Sequence, residues 1–423
     1  MLGDELTARR ESGFDVSRFE DEARVAVDAG GDPDPWLDRL EGALRIAGWP
    51  FDEPSSLDEI LDLLPPATQA RDVDDQAIGS RIHGAWLGRC AGCMLGKPVE
   101  GWTRAEIREY VELSGSYPIR DFIPLVADAP RHLPALKASW PETTRGRVDG
   151  VARDDDIDYT ILGLHILETH GREFTADDVA TELLDHLPFT QVFTAERAAY
   201  RNLVNGLRPP STAAHRNPYR EWIGALIRAD IFGLVSPGDA RAAALLAFRD
   251  ASVSHTGNGI YAAMWAAGLI AECLVAADVE HAIRASMAQV PSGTRLSAVL
   301  TLVVERFEAG ASWTDLMDEI DETHGHYSWV HAIPNAAVVA AAMLWSAGDH
   351  VTGVGLAVAA GRDTDSTAAT VGAALGALGG PDRVSSALTA PLHDRIRSAI
   401  AGFDAVAISD LAQRTHALGI RSA

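Results

Sequence analysis

Two short stretches carry more carboxylates than helix ends require. Arg153-Asp-Asp-Asp-Ile-Asp-Tyr-Thr160 places Asp154, Asp155, Asp156 and Asp158 within five positions, and Gly361-Arg-Asp-Thr-Asp-Ser366 sets Asp363 and Asp365 two apart with Ser366 beside them. Each stretch opens an apolar segment that reads as a helix. One Asp at such a place serves as an N-cap and complements the helix dipole. Three or four are not needed for capping, and Asp154 and Asp158 form an i,i+4 like-charge pair that repels unless a cation lies between them. Clustered oxygen donors without His or Cys suit a hard cation such as Mg²⁺, Mn²⁺ or Ca²⁺. Five of these six acidic groups can accommodate two ions, and a pair held about 3.5–4 Å apart can clamp two oxygens of a substrate. Glycoside hydrolysis and phosphate-ester hydrolysis both suit that arrangement, so residue types alone leave the reaction open.

The elements that must position these groups are helical. Ile82, Ala85, Trp86, Cys90 and Cys93 mark an apolar face, and Gly84, Gly88 and Gly92 recur along it at spacing four. Small residues at that spacing let a helix or a ligand approach closely. Gly96 and Pro98 break this run and leave Glu100 and Trp102 on a loop. From Ser114 to Asp149 the chain is Pro-rich and interleaved with Tyr117, Phe122 and Trp140; loops this long inside a domain often bind ligands, which makes it a candidate substrate loop. Ser254-His-Thr-Gly-Asn-Gly259 is a polar turn before an apolar helix, where His255 either bonds to backbone or touches a ligand. His324, His326 and His331 match no standard zinc spacing. Ser56 with Glu59, and Thr175 with Asp178, read as capping boxes. No segment alternates with period two, so the expected fold is all-α, a compact multi-helix bundle without a repeat of fixed period.

Bulk properties narrow the partners. The 423 residues are 47% hydrophobic and carry a formal net charge of −24. A core of that size is globular, and the acidity argues against nucleic acid or an anionic membrane surface as partner. Three cysteines make no secreted-type framework, and Cys90-Ala-Gly-Cys93 lacks the further ligands of a zinc site. With no signal-peptide pattern and no apolar run of spanning length, the expectation is a cytoplasmic protein. Residues 1–78 read as a helical N-terminal extension, joined by a polar linker from Ala67 to Asp75, and residues 79–423 as the catalytic domain. The oligomeric state is not readable.

Gly88-Arg-Cys-Ala-Gly-Cys-Met-Leu-Gly-Lys-Pro-Val-Glu100, the Asp154 to Thr160 cluster, Asn335 with its apolar helix, and Gly361 to Ser366 occur in the order seen in the ADP-ribosylglycohydrolase family. The chain resembles that family from about residue 80 to 380. The resemblance implies an all-α domain with two Mg²⁺, or Mn²⁺, at the bottom of a cleft, cleaving the N- or O-glycosidic bond of ADP-ribose on a protein side chain or related acceptor. It places metal ligands at Asp154, Asp155, Asp156, Asp363, Asp365 and Ser366. Asp155 or Asp156 would act as general base, and Glu100 would lie near the metals or protonate the leaving group. Substrate contacts would come from Trp102, His255, Gly257, Asn258, Gly259 and Asn335. The chain departs from the family pattern where a threonine ligand is replaced by Asp154, a second threonine by Ile157, and an acidic residue of the glycine-rich helix by Cys93. Those departures keep three alternatives in view: a hydrolase of a smaller N-riboside, a two-metal phosphohydrolase, and a non-catalytic ADP-ribose-binding homologue.

Overall fold

Glycines at spacing four share one face of a helix. In the computed structural model, which describes residues 1–71 and 74–420, that face belongs to helix Asp75–Gly96 and lies against helix Thr364–Gly379. A Cβ added to Gly84, Gly88, Gly92 or Gly96 would run into the carbonyl oxygen of Gly376, Gly372, Ala368 or Thr364 respectively. The clash is reciprocal, because Cβ atoms on Gly372 and Gly376 would meet the carbonyls of Gly88 and Gly84. The two helices therefore run antiparallel at backbone contact. The order of the pairs also sets the site: the C-terminal end of the first helix, followed by Lys97 and Glu100, lies beside the N-terminal end of the second, with Asp363 and Asp365.

The surrounding architecture is all-α. Among the described residues there are 22 α-helical segments and six 3-10 turns, with isolated bridges but no strand. Helices Asn258–Cys273 and Ala332–Trp345 are buried almost throughout and form the centre of the core. The glycine-striped helix continues through Gly96 rather than breaking there, and Lys97–Val99 follows as a 3-10 turn. Thr175 and Asp178 form a full capping box, whereas Ser56 bonds only to the Glu59 carboxylate and not to a backbone N–H. Between Ser114 and Asp149 the only helix is Trp140–Thr143. Trp222 is extended and bridges to His331, and Ile223 N–H donates to Val330 O at 2.9 Å at the start of the 3-10 segment Ile223–Arg228. Cys90, Cys93 and Cys273 are free and buried, as expected of packed thiols.

Residues 1–71 form short helices with a small core of their own around Leu2, Leu6, Val16, Leu37 and Leu40. Ile60 and Leu64 join the main core instead. Two buried ion pairs fasten this region to the rest, Glu5 with Arg220 at 2.9 Å and Glu53 with Arg295 at 2.8 Å. Residues 72 and 73 of the polar linker lie outside the described residues.

Candidate active site

Helix Asp155–His170 begins with Asp154 as its N-cap, whose Oδ1 accepts the Asp156 N–H at 2.9 Å. Its first turn is held from below by Arg89, a buried cation that donates to the Asp156 carbonyl at 3.0 Å and to Asp230 at 2.6 Å. The Asp154–Asp158 repulsion is relieved because each carboxylate has its own cation. Lys97 forms an ion pair with Asp154 Oδ2, and Arg153 Nε lies 2.7 Å from Asp158. Asp158 also accepts from Ser398 Oγ at 2.7 Å and Ala399 N–H at 3.0 Å, so it secures the C-terminal loop.

The second cluster is set by a tight turn ahead of helix Thr364–Gly379. Gly361 and Arg362 both have positive φ, at 72° and 67°. A Cβ on Gly361 would sit 2.7 Å from the Trp102 carbonyl, so glycine is required there. Thr364 Oγ1 donates to Gly96 O at 2.8 Å and fixes the turn to the first helix. Asn335 donates to the carbonyls of Trp329 and His331 at 2.8 and 2.9 Å, and its Oδ1 accepts the Asp363 N–H at 3.4 Å. Ser366 Oγ donates to Asp156 Oδ2 at 3.2 Å and joins the two clusters.

These contacts bring Glu100, Asp363 and Asp365 oxygens within 4.8 Å of one another, and Cys93, Asp154 and Asp156 likewise. Crowded carboxylates in a buried site resist ionisation. Burial, then Asp155, pushes Asp156 up to about 7, and burial, then Asp365, pushes Glu100 up to about 7. Burial and Asp156 raise Asp365 to about 6, and burial and Asp365 hold Asp363 well above the usual carboxylate range. Burial opposes the charge of Lys97, but Asp365, Cys93 and Asp155 outweigh it and keep its pKa raised. Asp156 Oδ1 is buried with no hydrogen-bond partner. An orphaned carboxylate oxygen in a cleft lined by further carboxylates fits a hard divalent cation, with the Cys93 thiol as the one sulfur beside it. The outer oxygen of Asp154 likewise accepts no hydrogen bond, but it lies against the Lys97 ammonium as an ion pair.

Asp155, Asp156, Asp363, Asp365, Ser366 and Glu100 line a cleft of about 420 Å³. Lys137, Arg153, Phe193 and Trp329 also line it, and Phe193 and Trp329 are exposed aromatic rings at its mouth. Lys137 Nζ is 3.3 Å from Glu100 and 5.4 Å from the centroid of the Trp329 ring.

Residues 74–419 match the family model described as ADP-ribosylglycohydrolase. The chain belongs to the ADP-ribosylglycohydrolase family. A solved structure titled "ADP-ribosylglycohydrolase-related protein complex" has a TM-score of 0.53 and 19% identity, and the match covers 82% of this chain and 100% of that one. That likeness is one of fold. No curated protein matches the chain. No helix among the described residues is long and apolar enough to cross a membrane.

Within this ADP-ribosylglycohydrolase fold, the carboxylates and Ser366 converge on one cleft, whereas the other expected substrate contacts lie elsewhere. Trp102 is buried edge-on against Tyr110 at 5.4 Å, and its carbonyl holds the Arg362 N–H at 3.0 Å. Asn335 positions Asp363 and the backbone at Trp329. His255 is buried behind the cleft wall, with Nδ1 2.8 Å from Ser254 Oγ and 3.7 Å from Glu196. Gly257, Asn258 and Gly259 pack against Glu221: the Asn258 N–H and Nδ2 each donate to it at 2.9 Å, and a Cβ on Gly257 would meet it at 2.8 Å. Gly257 N–H donates to Ser55 Oγ at 3.0 Å, so the N-terminal region covers this turn. The turn thus receives a carboxylate of its own chain, a role with the same Gly/Asn signature as a ligand contact. Lys137 lines the cleft from the Pro-rich stretch read as a candidate substrate loop, and Tyr159, Phe193, Glu196, Trp222 and Trp329 line it without having been singled out as ligand contacts.

Proposed function

We propose that this chain is a metal-dependent hydrolase that cleaves a ribosyl glycosidic bond, removing ADP-ribose from a protein side chain or a related N- or O-linked acceptor. The observation that carries this reading is the convergence of Glu100, Asp155, Asp156, Asp363, Asp365 and Ser366 in one cleft. Asp155, Asp156, Asp363, Asp365 and Ser366 would hold Mg²⁺ or Mn²⁺, with up to two ions. Such ions supply Lewis-acid orientation of the ribose hydroxyls and offset the carboxylate charge. Asp155 or Asp156 would take a proton from the attacking water. Glu100 would protonate the leaving group, since it borders the same cleft and burial and Asp365 raise its pKa.

The cleft mouth supports ADP-ribose over a smaller riboside. A cation at Lys137 suits a diphosphate, and the exposed Trp329 and Phe193 rings suit a base. Lys137→Ala should therefore raise the KM for ADP-ribosyl conjugates about tenfold or more, the scale of one charge-assisted hydrogen bond, and leave that for a plain riboside unchanged. Equal effects on both substrates would contradict a diphosphate contact.

The test of the reaction is incubation with Mg²⁺ or Mn²⁺ and arginine- or serine-linked ADP-ribose, measuring free ADP-ribose and phosphate. ADP-ribose release that disappears in Asp363→Ala plus Asp365→Ala is expected. Phosphate release without glycosidic cleavage would replace this reading with a phosphohydrolase, and metal binding without turnover would replace it with a binding protein.

A further inference from the structure

Ten residues beyond Asp155 on the same helix, about 15 Å along its axis, His165 enters a second cluster of metal-ligating side chains. His165 Nε2 lies 3.1 Å from Glu182 Oε2, and His186 Nδ1 lies 2.8 Å from that same oxygen. His170 Nε2 is 2.7 Å from the other oxygen, Oε1. Glu182 and His186 are four apart on helix Ala176–His186 and so share a face. The ligand atoms of His165, Glu182 and His186 all lie within 4.8 Å of one another. Around a tetrahedral ion with bonds of about 2.0–2.1 Å, neighbouring ligand atoms are about 3.3 Å apart, so only small adjustments separate this cluster from a coordination shell.

Hydrogen bonding alone leaves part of the cluster unexplained. His170 and His165 each bond to Glu182, but His186 Nδ1, although 2.8 Å from a carboxylate oxygen, is buried and makes no hydrogen bond. It is close to the oxygen without being aligned to donate to it. The His165 and His186 rings also approach to 4.3 Å between centroids, so the two imidazoles are already side by side.

We propose that His165, His186 and Glu182 bind a transition-metal ion of the zinc type, with His170 holding the second oxygen of Glu182. Two imidazoles and a carboxylate select zinc-like ions over Mg²⁺, so this site differs in chemistry as well as place from the all-oxygen cleft. A ligand carboxylate whose free oxygen is bonded to a further residue is the usual outer support of such sites. The ion would tie the C-terminal ends of the two helices together. It would also brace the loop that packs on them, where Ala401 N–H donates to His186 O at 3.2 Å and the Phe403 ring meets His165 edge-on at 5.9 Å.

The test uses Co²⁺ as the probe, added to chelator-treated protein carrying Asp363→Ala and Asp365→Ala so that the cleft does not contribute. One equivalent should bind with the strong visible absorption of four-coordinate Co²⁺, and Zn²⁺ should displace it. His165→Ala plus His186→Ala should abolish the signal, and His170→Ala should weaken binding about 10–100-fold. Glu182→Gln keeps the shape of the site and removes its charge, so it should also weaken binding at least about tenfold even if the histidine variant fails to fold. No four-coordinate absorption in the starting protein, or unchanged affinity in Glu182→Gln, would overturn the proposal.

Discussion

Lys97 is the residue at which the charge balance of the cleft is decided. Its ammonium ion-pairs with Asp154, which is 1% exposed, and its pKa is held up by Asp365, Cys93 and Asp155. Removing one partner of a buried ion pair strands the other, at a cost of about 3–5 kcal/mol. Lys97→Met should therefore lower the unfolding free energy by that order in the presence of chelator, measured by urea denaturation. A divalent ion can then compensate Asp154, so Mn²⁺ should raise the melting temperature of Lys97→Met by more than that of the parent protein. Equal shifts in the two proteins would contradict the view that Lys97 neutralises Asp154. Both carboxylate clusters are legible in sequence because their residues are adjacent. The Lys97–Asp154 pair joins positions 57 apart, and no local pattern announces it.

The central helix pair converts a glycine stripe into site geometry. A Cβ on Gly92 would press on the Ala368 carbonyl, and backbone has no alternative rotamer with which to yield. Gly92→Ala should force the helices apart, lower the urea midpoint by the equivalent of about 3 kcal/mol, and reduce activity by separating Glu100 from Asp363. An unchanged midpoint would show that the seam is looser than described. Periodicity made the stripe visible in sequence at Gly84, Gly88 and Gly92. Its partner was legible only as an apolar helical segment, because neither the antiparallel direction nor the pairing of Gly96 with Thr364 follows from one helix alone. The opposite error arose at Gly257 to Gly259, where glycine and asparagine accommodate Glu221 of the same chain.

At the scale of the whole molecule, burial governs the response to pH as well as the site. His350 is 2% exposed, and burial lowers its pKa from 6.5 to about 4. The folded form therefore binds fewer protons than the unfolded chain between those values. Its contribution is fully present above pH 6.5 and is lost as the pH falls through about 4, a change of about 3 kcal/mol. His350→Gln should show a shallower fall in unfolding free energy over that range, and an unchanged slope would contradict burial of the neutral ring. The all-α class follows from composition and periodicity. The cleft mouth was legible only in part: Lys137 comes from the Pro-rich stretch read as a candidate substrate loop, whereas Phe193 and Trp329 come from distant segments that tertiary packing alone brings beside it. Binding of metal and ADP-ribose together in the carboxylate cleft can be seen by anomalous diffraction from crystals soaked with Mn²⁺ and ADP-ribose. Manganese density is expected about 2.1 Å from oxygens of Asp156, Asp363 and Asp365, with the ribose against it and the diphosphate toward Lys137. A cleft without manganese, or ADP-ribose bound elsewhere on the molecule, would contradict it.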